Sequence, residues 1–316
     1  MENDLLTETT ENSKLKTLLN ETLIKLEWHK LMQYISEFST LSFTKNKFLS
    51  LVPWMEKAEA EQWQIGTEEM IKVQESGTRF DLVPFVAEEF VPKLKREAHL
   101  SPLELYDILI ILKSCEKIHT LFSEEKNLNS NLFPILKQSI ANISVLPHLI
   151  TLIETSIDRQ GEILSEASPE LKSARTRAQN AGKKVEEKLD SLLKINSIKD
   201  ACQESMWTSR DGHYVLPIKI EKRNQVEGIL RGISGSGSTV FIEPLSLSVE
   251  VSQLERALGD VQIEEFKVIV KLSEQCTEQI EQLEENIRIL YLLDNFLTRS
   301  KVAIFLRAEK CLLLTE

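Results

Sequence analysis

From Leu245 to Glu316 the chain has no proline, and Leu254, Leu258, Val261, Val268, Leu272, Cys276, Ile280, Leu283, Ile287 and Leu290 recur there mostly at three- and four-residue steps. A strand cannot use that spacing, because its side chains alternate with period two, whereas one helix face gathers it. The pattern predicts a helix from about Glu250 to Phe296, roughly 70 Å long if unbroken. Gly259 is its one weak point. A stripe this narrow needs a second helix to cover it.

The partner lies upstream. Ser168-Pro169-Glu170 is a helix-start signal, with Ser as N-cap, Pro at the first helical position and an acid in the first turn. Leu171, Ala174, Ala178, Ala181, Val185, Leu189 and Leu192 then follow at three- and four-residue intervals. They predict a helix of about 30 residues, roughly 45 Å long, whose alanines admit close approach. The two stripes are expected to pack antiparallel. A coiled coil serving only as a spacer would use the same pattern.

Between the helices the composition changes. Five of the chain's 10 glycines (Gly212, Gly228, Gly232, Gly235 and Gly237) fall within residues 207–244. Tyr214, Leu216, Ile218 and Ile220 alternate with Val215, Pro217 and Lys219 behind the turn dipeptide Asp211-Gly212, which predicts a strand. Gly228–Arg231 and Thr239–Glu243 predict two more. Pro217 assigns the first of these to an edge position or a bulge.

Residues 1–20 form an acidic tail. From 21 to 150 the pattern is short helices in a compact helical domain, with Pro53, Pro84, Pro92, Pro134 and Pro147 as breaks. Ser101-Pro102-Leu103-Glu104 has the form of a capping box. Trp28, Trp54, Trp63 and Trp207 are expected to be packing anchors. Leu, Ile, Glu and Lys are plentiful and aromatics only 6%, so the fold class is mainly α with a small β element.

No catalytic constellation emerges. Cys115, Cys202, Cys276 and Cys311 form no CxxC pair, and His29, His99, His119, His148 and His213 are scattered, so neither a metal site nor a disulfide framework is expected. The acidic N-terminus lacks a signal-peptide pattern, and the longest apolar patch, Ile108 to Leu112, is too short for a bilayer. A cytoplasmic protein without a membrane partner is expected. Gly232-Ile-Ser-Gly-Ser-Gly237-Ser238-Thr239 matches the G-x-x-x-x-G-K-[ST] phosphate loop except that Ser238 replaces the lysine. A strand, not a helix, is predicted after it, so a nucleotide site is not expected.

Net charge is −11, which weighs against nucleic acid, yet residues 171–242 hold 13 Lys/Arg against 8 Asp/Glu. Arg210, Lys219, Lys222, Arg223 and Arg231 lie in the β element beside His213, Tyr214 and Phe241. Ser236 and Ser238 supply hydroxyls in its Gly-rich loop. Basic groups interleaved with aromatics suit contact with a nucleic-acid backbone. Glu221, Glu227 and Asp211 dilute the patch. Lys172, Arg175, Arg177, Lys183, Lys184 and Lys188 offer an extension along the first long helix, where a solvated face is the default.

Three collinear runs give the pattern a family likeness: Ser165-Glu-Ala-Ser-Pro-Glu-Leu171, Arg210-Asp-Gly-His-Tyr-Val-Leu-Pro-Ile-Lys219 and Ser236-Gly-Ser-Thr-Val-Phe-Ile-Glu-Pro244. Weaker matches are Leu26-Glu-Trp28 and Leu100-Ser-Pro-Leu-Glu-Leu105. The chain resembles the N-terminal part of the second MutS family, MutS-like bacterial proteins that lack the mismatch-reading domain. It departs from the family at Gly232–Gly237 and Ser252–Leu254. The resemblance implies a core at 21–150, an ascending lever at 151–202, a β clamp at 203–248 and a descending lever returning to the core at 249–316. It implies a clamp that touches the duplex backbone without reading sequence, a homodimer in the full-length protein, and either DNA or ribosomal RNA on stalled ribosomes as partner. The family's ATPase, with its ATP and Mg, and the Smr nuclease domain would lie beyond Glu316. This chain is therefore expected to be a non-catalytic truncated or shortened form. The competing expectation is a structural dimerisation arm with little affinity for nucleic acid.

Overall fold

The structure, a computed structural model, describes residues 18–53, 56–78, 80–124 and 132–312. The chain divides into two units, Met1–Gly161 with Leu272–Glu316, and Glu162–Lys271.

In the first unit, residues 18–25 are helical. They are followed by α1 (Trp28–Ser36), α2 (Ser42–Leu49), α3 (Lys57–Glu75), α4 (Phe90–Leu94), α5 (Pro102–Glu124), α6 (Pro134–Ile140) and α7 (Pro147–Glu154). The tail expected over 1–20 lies outside the described residues as far as residue 17, as does Trp54. Ser101 forms a full capping box before α5. Its N–H reaches Glu104 Oε2 at 2.8 Å, and the Glu104 N–H returns to Ser101 Oγ at 3.3 Å. Pro134 and Pro147 open helices as expected. Pro92 instead lies inside α4. It breaks nothing because the first-turn N–H groups have no intrahelical partner to lose.

The first unit is organised around its last helix, α11 (Ile280–Leu306), which buries Leu283, Ile287, Ile289, Leu290, Leu293, Phe296 and Leu297 against α3, α5 and their neighbours. Gly66 on α3 lets the Phe296 ring approach so closely that a Cβ there would lie 2.3 Å from it. Buried polar groups tie loops to the same framework. Asn286 receives the Ser144 N–H at 2.9 Å and donates to the Ser144 carbonyl at 2.8 Å. From α3, Glu69 accepts the Leu136 N–H at 2.8 Å and the Ile135 N–H at 3.1 Å at the start of α6. Trp28 donates its indole N–H to the Leu51 carbonyl, and Trp63 lies 5.0 Å from the Phe296 ring, so both act as packing anchors. All four cysteines are free, and burial pushes the Cys115 and Cys276 thiols up to about 12.

The second unit opens with α8 (Pro169–Leu193), α9 (Asn196–Ala201) and the strands β1 (Thr208–Arg210), β2 (His213–Lys219), β3 (Gly228–Ile233) and β4 (Thr239–Pro244). It ends in α10 (Ser248–Glu278), whose residues to Lys271 belong to it. Ser168 caps α8 by accepting the Leu171 N–H at 3.0 Å, with Pro169 at the first position. The expected stripe is the buried face of α8, although the helix has 25 residues and not about 30. Arg175 pairs with Glu265, Arg177 with Asp260 and Lys188 with Glu250, so α8 and α10 run antiparallel. Leu258 departs from the expected stripe and is 48% exposed.

The single helix expected from about Glu250 to Phe296 is two. Gln279 separates α10 from α11 with φ −111° and ψ 20°, and its N–H turns back to the Cys276 carbonyl at 3.1 Å, three residues behind. No side chain near Gln279 marks the break. Gly259 does not interrupt α10. No helix among the described residues is long and apolar enough to cross a membrane.

Candidate functional site

The β element is one antiparallel sheet in the order β1-β2-β4-β3. Asp211 and Gly212 both adopt positive φ, 49° and 79°, the geometry of a two-residue type I′ hairpin turn joining β1 to β2. β1 itself was not expected, because Thr-Ser-Arg carries no apolar alternation. β2 pairs with β1 over residues 213–215 and with β4 over residues 216–219, so at Pro217 β4 is the one paired strand among the described residues, the edge position expected there, with an isolated bridge from Cys202 to Ile218 beyond it. Pro217 is tolerated because its carbonyl, and so its missing N–H, faces away from β4: the carbonyl accepts from Gln203 N at 2.7 Å, beyond the residues that β1 pairs.

Alternation gives the sheet two faces. Leu216, Ile218, Val240 and Ile242 join Val185, Leu189, Leu192 and Leu254 of the helices in one apolar core, with Tyr214 and Trp207 packed on it. Tyr214 is thus a packing residue, 5.8 Å from the Trp207 ring, and Trp207 donates to Asp190 at 3.0 Å.

Arg210, His213, Arg231, Phe241 and Glu243 meet on the opposite face. Arg231 Nε donates to Glu243 Oε2 at 2.7 Å, and His213 Nδ1 stands 3.3 Å from the same oxygen. Glu243 is buried, so losing this arginine would strand a carboxylate with little water around it. The Arg210 guanidinium lies 4.4 Å from the centre of the Phe241 ring. Gly232 leaves room for it, since a Cβ there would sit 3.1 Å from the guanidinium carbon. A bulge between Leu230 and Gly232 admits Arg231 as an extra residue on β3. Three of the residues expected to face a ligand are therefore engaged within the sheet, Arg231 and His213 by Glu243 and Arg210 by the Phe241 ring. Sequence spacing could not reveal this, because the contacts depend on register.

The remaining candidates gather at one end of the sheet. The Ile220 N–H donates to the Ser238 carbonyl at 3.0 Å, which brings the 3₁₀ turn Ile220–Gln225 beside the β3–β4 loop. Lys222 and Lys219 donate to the Asp200 carbonyl at 3.0 and 3.4 Å. Arg223 is exposed and makes no ion pair among the described residues. In the loop, Ser236 Oγ lies 2.8 Å from Ser238 Oγ and 3.2 Å from Ser234 Oγ, while Gly237 takes φ 71° and donates its N–H to the Ser234 carbonyl. β4 follows directly, so no helix N-terminus is available to hold a nucleotide phosphate there. This end presents hydroxyls, loop amides and two or three cations on a mostly exposed surface.

The basic face considered for α8 is largely spent. Arg175 donates to the Ile163 carbonyl, Ser165 Oγ and Glu265 Oε1, and Lys172 pairs with Glu166. Lys183 and Lys184 are exposed and make no ion pair among the described residues. In the first unit, a cleft of about 630 Å³ lined by Phe43, Trp63, Val91, Ile287 and Tyr291 had no signal in the sequence. Its charged rim is already paired in part, Glu284 with Lys95 and Arg288 with Glu285.

No family model matches the chain. It is similar to curated proteins named endonuclease MutS2. With that of Geobacillus sp. (strain WCH70) it shares 30% identity over 286 residues, covering 90% of this chain and 36% of that protein. With that of Alkaliphilus oremlandii the identity is 25% over 301 residues, 94% and 38% of the two chains. With that of Synechocystis sp. it is 28% over 296 residues, 93% and 35%. The chain thus spans a little over a third of the length of these relatives.

Proposed function

Starting from a chain that is a relative of the MutS2 family over part of its members' length, we propose that it is the non-catalytic core, lever and clamp portion of a MutS-like DNA-repair or recombination-control protein. On this reading the sheet at 208–244 meets a nucleic-acid backbone, either duplex or branched DNA or ribosomal RNA. What carries the reading is the exposed end of the sheet, where the turn that carries Lys222 and Arg223 starts from the bond of Ile220 N–H to Ser238 in the Ser234–Ser238 loop, in a chain of net charge −11. Hydroxyls, loop amides and cations bind phosphate without reading bases. Nuclease or ATPase work, with ATP and Mg, then belongs to parts of a full-length member that this chain does not match.

The test is binding of the whole chain to a fluorescent duplex, a four-way junction and an rRNA fragment across a salt series. The Lys222→Ala/Arg223→Ala double variant is expected to weaken binding and to flatten the log–log salt slope by about 2 for a duplex. Salt-independent binding, or a slope the variant leaves unchanged, would sink the proposal. Arg231 stays intact in this test because it is held by Glu243.

A second reading has its own support: Arg210, Arg231, Arg175 and Arg177 are all engaged within the unit. It makes the unit a dimerisation arm with little affinity for nucleic acid. Light scattering that finds a stable dimer indifferent to all three probes selects it.

A further inference from the structure

β3 is the outer strand of the sheet beyond β4, and among the described residues nothing pairs its far edge. Pro217 faces away from β4, so alternation turns the amides and carbonyls of Leu230 and Ile233 outward. Among the described residues, no hydrogen bond outside the ladder satisfies them. The side chains leave the edge open as well. Ile229, Leu230 and Ile233 are 47%, 40% and 50% exposed. Folded proteins usually guard such an edge with an outward lysine or glutamate, a proline, or cover from another element. The strand's one charged residue, Arg231, is turned to Glu243, which leaves a bulge as the one guard among the described residues.

We propose that the β3 edge is a docking site for a short extended peptide segment of a partner protein, apolar at alternate positions, which adds to the sheet as a fifth strand. The size of the edge selects this occupant over a second copy of the chain. Six residues span about 20 Å. Pairing along that length covers far less than the ~800 Å² each partner of a stable protein complex buries. Main-chain bonds to a peptide suffice for a modest affinity, with the apolar side chains on the edge setting preference. The site uses none of Lys219, Lys222 and Arg223, so it stands or falls apart from the nucleic-acid reading.

The probe is the peptide acetyl-Thr-Val-Thr-Val-Thr-Val-amide, added to the whole chain and followed by amide hydrogen exchange and calorimetry. Slowed exchange at Leu230 and Ile233 is expected. Leu230→Pro removes an outward N–H that the ladder does not use, and should weaken binding about tenfold. Ile233→Lys guards the edge without altering the backbone and should weaken it comparably, so the test survives if the proline variant does not fold. No binding at about millimolar peptide overturns the proposal, as does binding that both variants leave intact. Protection that appears without peptide and grows with protein concentration also overturns it, assigning the edge to a second copy.

Discussion

The Asp294 carboxylate accepts the Leu41 N–H at 2.9 Å, joining α11 to the start of α2 across 253 residues of sequence. The Thr40 N–H reaches its other oxygen at 3.2 Å. Leu41 is the N-cap of α2, and its own N–H, which has no partner within the helix, is satisfied by a carboxylate from a distant helix. Asp294→Ala would leave those N–H groups buried without a partner. The expected loss is about 3 kcal/mol, read as a shift of the urea midpoint.

Two buried carboxylates of the first unit should respond to pH in opposite senses. Burial raises the Asp294 carboxyl above its usual range despite the amides it accepts. Its folded form therefore holds the proton more tightly than the unfolded chain, and stability from this group falls as pH rises through that interval. Burial also pushes Glu104 upward, but the bonds from Lys93 and Ser101 outweigh it and hold the carboxyl below its usual range. Its contribution is present above the ordinary carboxylate value and lost as pH falls through the folded one. From about pH 6 down to about pH 3, the stability advantage of the native chain over Glu104→Gln should shrink, while that over Asp294→Asn should move in the native chain's favour. Parallel denaturation series on the two variants check the sign.

Gly66 and Gly259 both lie inside long helices and should answer alanine differently. Gly259 has nothing within 4 Å of a new Cβ, so Gly259→Ala should raise stability by about 1 kcal/mol through helix propensity. At Gly66 the same gain is overwhelmed by the clash with the Phe296 ring, and a net loss of about 1–3 kcal/mol is expected. Thermal melts of the two variants decide this.

Arg231 and Arg223 separate support from surface charge. Arg231→Ala strands Glu243 in a buried setting and should cost about 2–3 kcal/mol, whereas Arg223→Ala should change stability by less than about 0.5 kcal/mol. Melts taken alongside the binding assay keep a folding defect from being mistaken for a lost contact.

Local chemistry made parts of this architecture readable in advance. The Ser101 box, the Ser168 cap and the Asp211-Gly212 turn depend on residues a few positions apart, and each adopts the geometry its sequence implies. The alanine stripe of α8 likewise declares its buried face, whereas β2 buries the whole run from Val215 to Ile218 and not one alternate set. What the sequence could not disclose depends on register or distance. β1 exists because a hairpin turn folds three unremarkable residues back onto β2. Arg210 and Arg231 read as surface cations until the sheet sets Phe241 and Glu243 beside them. Arg223, exposed and without an ion pair among the described residues, and Lys222, which donates to the Asp200 carbonyl, are the cations on which the proposed backbone contact rests.

The bulge on β3 has a consequence for how this element tolerates changes in length. Paired residues of an antiparallel sheet share a face, and Leu230 opposite Ile242 and Gly232 opposite Phe241 already obey the parity of an uninterrupted ladder. Arg231 is therefore a guest in the strand. Deleting it would remove one cation and leave every neighbour on the side it now occupies. A one-residue insertion or deletion elsewhere along β3 or β4 would instead exchange inside for outside from that point to the loop. The strand thus has a single position where its length can drift without scrambling its faces, and that position holds the arginine that secures Glu243.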